Sequence, residues 1–287
     1  RNDARPGLAT ASVLTGGIFN VFGDWFCVFV LDLGVFGAGL ATATGAVISL
    51  AVMCSHFFSR KCTLHLVPVQ KLFKKLGEIA VTGFSSFFVD VAMGILTVLF
   101  NRQIMKYLDS DALAVYATVI NISTFVQCCA YSVGQAAQPI LSTNYGANNA
   151  ARIRQALHLA LGTSMVFAAF WTGLSELFPQ LYIHIFMRPS AEILAIAPAI
   201  IRRYSVSFVL LPVNIFSTYY FQSILHPKDS FIVSIARGLL VSGLLIFALP
   251  ALFAPEAIWW AMPLTELVTS VYAAYAMRKS LTGLCAN

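Results

Sequence analysis

The chain has 287 residues, of which 59% are hydrophobic and only 10% charged, with a mean hydropathy of +0.79 and a formal net charge of +6. That composition excludes a soluble globule, in which about a quarter of residues carry charge, and points to a polytopic membrane protein. No basic patch interleaved with aromatics accompanies the positive balance, so the charge belongs to loops beside anionic lipid and not to nucleic acid.

Runs of about 20 apolar residues bounded by charge or turn signals place eight membrane spans, in chain order, near 8–31, 35–57, 77–100, 113–138, 155–178, 193–221, 229–252 and 257–277. Long runs without alternation make helices and not the strands of a barrel, so the fold class is all-α. The first run is too long for a cleavable signal peptide. It is preceded by Arg1, Asp3 and Arg5 without an initiating Met, and the expectation is a chain cut from something longer.

That first run holds Asp24, with Asn20 one helical turn before it on the same face. An ionisable group at membrane depth costs about a few kcal/mol unless it meets a partner, water or an ion, which favours an ion or proton pathway. Thr42, early in the second run, shares its depth: each lies roughly 10 Å inside its helix end at 1.5 Å per residue. A carboxylate, an amide oxygen and a hydroxyl are hard ligands suited to Na⁺, and a desolvated carboxylate suits H⁺. The alternative is a polar cluster that bonds two packed helices, worth about 1 kcal/mol.

Between the second and third runs, RKCTLHLVPVQKLFKK is a basic, partly amphipathic linker. The third run carries Asp90, read either as a substrate-cation or second coupling site or as a packed carboxyl bonded to Ser85 or Ser86. In the fourth, QAAQPILSTNYGANN places Pro139 to bend the helix, Gly146 to end it and Asn148 or Asn149 to cap the next. Gln135 and Asn144 there either touch substrate or belong to a stop-and-turn device. Arg237 lies about eight residues into the seventh run and Glu266 about eleven from the matching end of the eighth, so they fall within a turn of each other in depth and read as a structural ion pair. Trp259 and Trp260, at a span end, read as an interface anchor.

Arg60, Lys61, Lys71, Lys74 and Lys75 dominate the loops of one side, which by the positive-inside rule makes both ends of the chain cytoplasmic. The six cysteines form no CxxC and read as free thiols, with no metal or other cofactor beyond a coupling ion, Na⁺ or H⁺.

The stretch from Pro6 through GVFGAGLATA resembles the stretch from Pro227 through FAPEAIWWAM, roughly 220 residues on, as parallel repeats of that length would. The chain then divides into 1–57, the last two helices of an N-terminal lobe; 58–76, a linker; and 77–287, a complete six-helix C-terminal lobe. On that count roughly 150 residues, four spans, precede it, and the chain alone is expected to insert without transporting.

GQAAQPILSTNYGANNAARIRQAL (Gly134 to Leu157), NVFGDWFCVF with LGVFGAGLATA, and FQSIL followed by SIARGLL resemble the bacterial branch of the multidrug and toxic compound extrusion (MATE) transporters, over essentially the whole chain. The resemblance implies twelve helices in two lobes, of which this chain has eight, and cation-coupled (H⁺ or Na⁺) antiport that exports amphipathic or cationic drugs across the inner membrane. It also implies a first-lobe cation site on Asn20, Asp24 and Thr42, completed by a first-helix Asp with no counterpart here. The expected partners are the lipid bilayer and small organic cations or drugs, with the protein a monomer. A flippase of lipid-linked substrates in the same superfamily is the alternative, and would line its cavity with several Arg or Lys, which are scarce here. A membrane-embedded enzyme would need a His, Ser or Asp constellation within the spans, and the histidines (56, 65, 158, 184, 226) all fall near span ends. A channel would want a pore-loop filter, and none is visible.

Overall fold

The computed structural model describes residues 5–59, 62 and 71–286, apart from the side chains of 6, 82, 85, 86, 89, 90 and 284–286. Every regular element among them is helical, and the chain divides into two compact units between Lys71 and Leu72.

The first unit is a helical hairpin. Helix α1 (Pro6–Asp24) starts on a proline, whose missing N–H costs nothing in a first turn, and runs into a π-turn, Trp25–Val30. The chain reverses through Asp32 and Gly34, both in the left-handed region at φ 49° and 52°, and α2 (Gly34–Cys54) returns to a 3₁₀ turn, Ser55–Phe58. What sets the two helices together is the absence of side chains. A Cβ on Gly16 would stand 2.7 Å from the Gly45 carbonyl oxygen, and one on Gly45 as close to that of Gly16. Small residues let helix backbones approach closely where lipid removes the usual hydrophobic drive. Ser12, fully buried, adds a bond from its Oγ to the Ser49 carbonyl at 2.6 Å.

The second unit opens with α3 (Leu72–Tyr107), which begins inside the segment expected to be linker, and α4 (Ser110–Gly146). Next come α5 (Ala150–Leu177) and a short α6 (Pro179–Phe186) that the apolar runs did not announce. Helix α7 (Ala191–Ser205) continues through a 3₁₀ turn into α8 (Leu211–Ser223), and α9 (Pro227–Ile235) through a π-turn, Ala236–Leu240, into α10 (Val241–Leu252). A 3₁₀ turn, Pro255–Trp260, leads into α11 (Ala261–Ala286). Side-chain caps satisfy the first-turn donors: Asp109 accepts from the Ala112 N–H at 2.8 Å, Asn149 from Arg152 at 3.1 Å and Ser190 from Ile193 at 3.2 Å. Helix α4 runs through Pro139 and ends at Gly146, the glycine expected to stop it, eight residues past the apolar run; the Ser142 and Thr143 hydroxyls bond the Pro139 carbonyl, and Asn148 turns the chain at φ 53°.

Among the described residues six continuous helical stretches are long and apolar enough to cross a membrane: Gly7–Val30, Gly34–Phe58, Ser110–Gly146, Ala150–Leu177, Ala191–Ser223 and Pro227–Leu252. The two other expected spans, 77–100 and 257–277, are helical within α3 and α11 without joining that six. In α11 the reason is a polar inner face of Thr265, Glu266 and Thr269, all buried.

The second unit's core forms around Phe100 stacked on Tyr116 at 4.8 Å, with Tyr204, Phe208 and Trp259 completing an aromatic cluster. Trp259 is 1% exposed, so of the expected interface pair only Trp260 stays outside, the 3₁₀ turn directing its neighbour into the core.

A shift of 221 residues relates landmarks of the first helix pair to those of a later one. The shift of 221 residues that sets Pro227 over Pro6, each at the first turn of its helix, also sets Pro255, where the second pair's return begins, over Gly34. Each pair spends one π-turn on the way, so the two stay in phase at both ends.

Candidate ion-coupling site

Asp24 closes α1 as the last residue before the π-turn, and Asn20 lies one turn earlier on the same face. Asn20 Nδ2 donates to Thr42 Oγ1 across the hairpin at 3.2 Å, and the Thr42 hydroxyl donates in turn to the Ala38 carbonyl at 3.0 Å. Both bonds orient oxygens: the Asn20 amide keeps Oδ1 as an acceptor, and Thr42 keeps a lone pair. The close crossing makes this reach possible, since Gly45, one turn beyond Ala41 on the packed face of α2, leaves room for Asn20 beside it.

The structure thus brings Asn20 and Thr42 together, and among the described residues no hydrogen bond joins Asp24 to either. Asp24 is half-buried, and its Oδ1 is a buried oxygen without a hydrogen-bond partner among the described residues. A desolvated carboxylate oxygen left unmatched costs more than any neutral group in its place and is the kind of atom a cation or a proton satisfies.

The other candidates separate. The Asp90 side chain, with Ser85 and Ser86, lies outside the described residues, although the backbone there is helical. Gln135 is exposed on α4. Asn144 turns its Nδ2 to the Ile140 carbonyl one turn back, at 2.8 Å, a local bond that belongs to the helix end. A groove of about 340 Å³ between α4 and α5, lined by residues such as Ser132, Ala136, Ile140 and Thr163, includes neither of them.

Arg237 and Glu266 meet: Nε stands 2.7 Å from Oε1, with Glu266 fully buried and the arginine side chain 9% exposed. Asn214 from α8 joins them, its Nδ2 donating to Glu266 Oε2 at 2.6 Å and to the Glu266 carbonyl at 2.9 Å. The Asn214 Oδ1 is buried and has no partner among the described residues. The sequence did offer a signal for Asn214, an amide deep within an apolar run. What it lacked was a charged neighbour in sequence.

Hairpin, π-turns and a buried polar triad in a bundle of bilayer-length helices define a multi-pass membrane protein. A profile of the family described as MatE matches residues 86–247, more than half of the chain, and the chain belongs to that family of transporters, which sets aside a membrane enzyme. It is similar to the multidrug export protein MepA of Staphylococcus saprophyticus, 23% identical over 98% of this chain and 63% of that protein. In three dimensions it superposes on the outward-facing conformation of a multidrug resistance MATE family transporter of the MOP superfamily, with a TM-score of 0.88 and 19% identity over 96% of this chain and 63% of that one. It is also similar to a MOP superfamily transporter of Pyrococcus furiosus whose reversed pocket polarity is taken to indicate a different function, at a TM-score of 0.86 and 19% identity, covering 96% of this chain and 62% of that one. The chain therefore spans under two thirds of the length of these relatives.

Proposed function

We propose that this chain serves a cation-coupled antiporter, driven by H⁺ or Na⁺, that exports amphipathic or cationic drugs across the cell membrane, with both ends of the chain on the cytoplasmic side. The observation that carries the reading is Asp24: a carboxylate oxygen buried in a bilayer-length helix, unmatched by protein, beside an amide and a hydroxyl already turned to present oxygens. The MepA likeness supports the drug as substrate, and the scarcity of Lys and Arg within the spans favours a cationic over an anionic cargo.

In this mechanism Asp24, Asn20 and Thr42 bind the cation, and the state that binds it best is the state that binds drug worst. Exchange follows because each ligand shifts the same equilibrium by its differential affinity for two conformations. Asp24→Asn, which keeps shape and removes charge, is expected to abolish Na⁺- or H⁺-driven efflux of a fluorescent organic cation from proteoliposomes while the protein stays folded. Undiminished efflux would remove Asp24 from the mechanism.

A further inference from the structure

We propose that the Arg237 guanidinium is a tethered cation, occupying a latent monovalent-cation site formed by Glu266 and Asn214, so that the second unit carries its cation permanently while the first exchanges one. The second half of this statement rests on the coupling role of Asp24; the first does not.

Donor chemistry comes first. The first unit offers a carboxylate and an amide oxygen at Asp24 and Asn20; the second gathers a carboxylate and an amide at Glu266 and Asn214, with Asn214 Oδ1 buried and unpartnered as Asp24 Oδ1 is. Both sets are hard oxygens. They differ in what neutralises them: the structure sets a guanidinium 2.7 Å from Glu266 and, among the described residues, pairs Asp24 with no positive side chain.

Register carries the inference further. The 221-residue shift places Arg237 over Gly16 and Glu266 over Gly45, so the positions where two glycines touch in the first pair hold an ion pair in the second. By count Asn20 and Asp24 fall over Val241 and Leu245. The π-turn that precedes these in the second pair moves the spatial counterparts one residue on, to Ser242 and Ile246, and Thr42 falls over Pro263. No carboxylate stands there under either alignment, so the second unit has no copy of the exchangeable site. The fully buried carboxylate of this helix pair, Glu266, already holds a cation that cannot leave.

Packing alone does not call for this arrangement. A buried ion pair can commonly be replaced by apolar residues of similar volume without loss, whereas here a third helix adds an amide that donates both to the carboxylate and to the backbone carbonyl of Glu266. Amputating the guanidinium would leave a small oxygen-lined space with a net negative charge, which a free cation fits.

The test uses the full-length protein carrying Asp24→Asn, so that the first unit adds no cation response, melted in detergent with choline chloride as the inert salt. With Arg237 present, Na⁺ is expected to leave the melting temperature unchanged. Arg237→Ala is expected to melt lower and to acquire a saturable upward shift of a few degrees with Na⁺, and with methylguanidinium, the group removed. Glu266→Gln added to Arg237→Ala is expected to abolish both responses. A Na⁺ response with Arg237 in place overturns the proposal. So does an Arg237→Ala protein that neither cation stabilises, including one that stays aggregated when purified in either. Efflux by Asp24→Asn with Arg237 intact reports separately on Asp24, so failure of the coupling reading leaves this melting result standing.

Discussion

The helix pairs α1–α2 and α9/α10–α11, set over each other by the 221-residue shift, are joined by opposite chemistry. At Gly16 and Gly45 backbone lies on backbone, while at the equivalent Arg237 and Glu266 two charges meet at 2.7 Å. Their surroundings differ as well, since 6% of the apolar window of Gly7–Val30 is buried against 39% of that in Pro227–Leu252. Close backbone approach draws on dispersion and needs no third element, so two helices can make it by themselves. A desolvated ion pair holds only where other helices shield it and supply more bonds, as α8 does with Asn214.

Three substitutions would break or sharpen that contrast, each read as a melting temperature in detergent. The largest effect is expected from Glu266→Ala, which leaves Arg237 buried and unpaired, at about 3–5 kcal/mol. The double variant Arg237→Met with Glu266→Met should recover most of that loss, and additive losses would show that the two charges act independently. Gly45→Val should cost less, about 1–3 kcal/mol, because the new Cβ meets a backbone oxygen that cannot rotate away. A neutral result there would mean the hairpin is held by something other than its crossing. Smallest is Ser12→Ala, about 1 kcal/mol for the hydroxyl's bonds to the Ser49 carbonyl and Oγ across the hairpin. At the position 221 residues on, the second pair has the fully buried Val233, so Val233→Ser should also destabilise, by burying a hydroxyl where an apolar side chain packs.

Much of this was legible from residues alone. Apolar runs located a helix at each expected position because membrane helices must be long and satisfy their own backbone. Depth counting set Arg237 against Glu266, since rise per residue is constant enough to compare two helices from a shared end. What escaped has a common cause. A π-turn is one extra residue in a helix and leaves no compositional mark, so Trp25–Val30 and Ala236–Leu240 were invisible. Asn214 and Trp259 face inward because of neighbours distant in the chain, and polarity or aromaticity alone reads equally well as lipid interface. At α6 the run is too short to separate from a loop by periodicity.

The glycines of the hairpin also bear on how a cation leaves. Gly37 meets the Cys27 carbonyl where a Cβ would stand at 2.8 Å, Ala41 packs at Gly23, and Gly45 sits on Gly16, so one strip of α2 touches α1 at successive heights. Contact at several heights fixes tilt, rotation and sliding together, and the hairpin acts as a stiff bracket rather than a hinge. Asn20 and Thr42, one on each arm, therefore keep their separation as the bracket swings. In the proposed mechanism release then comes not from spreading those two ligands but from rotation of the Asp24 side chain, at the rim where the π-turn begins, as the movable jaw of the site.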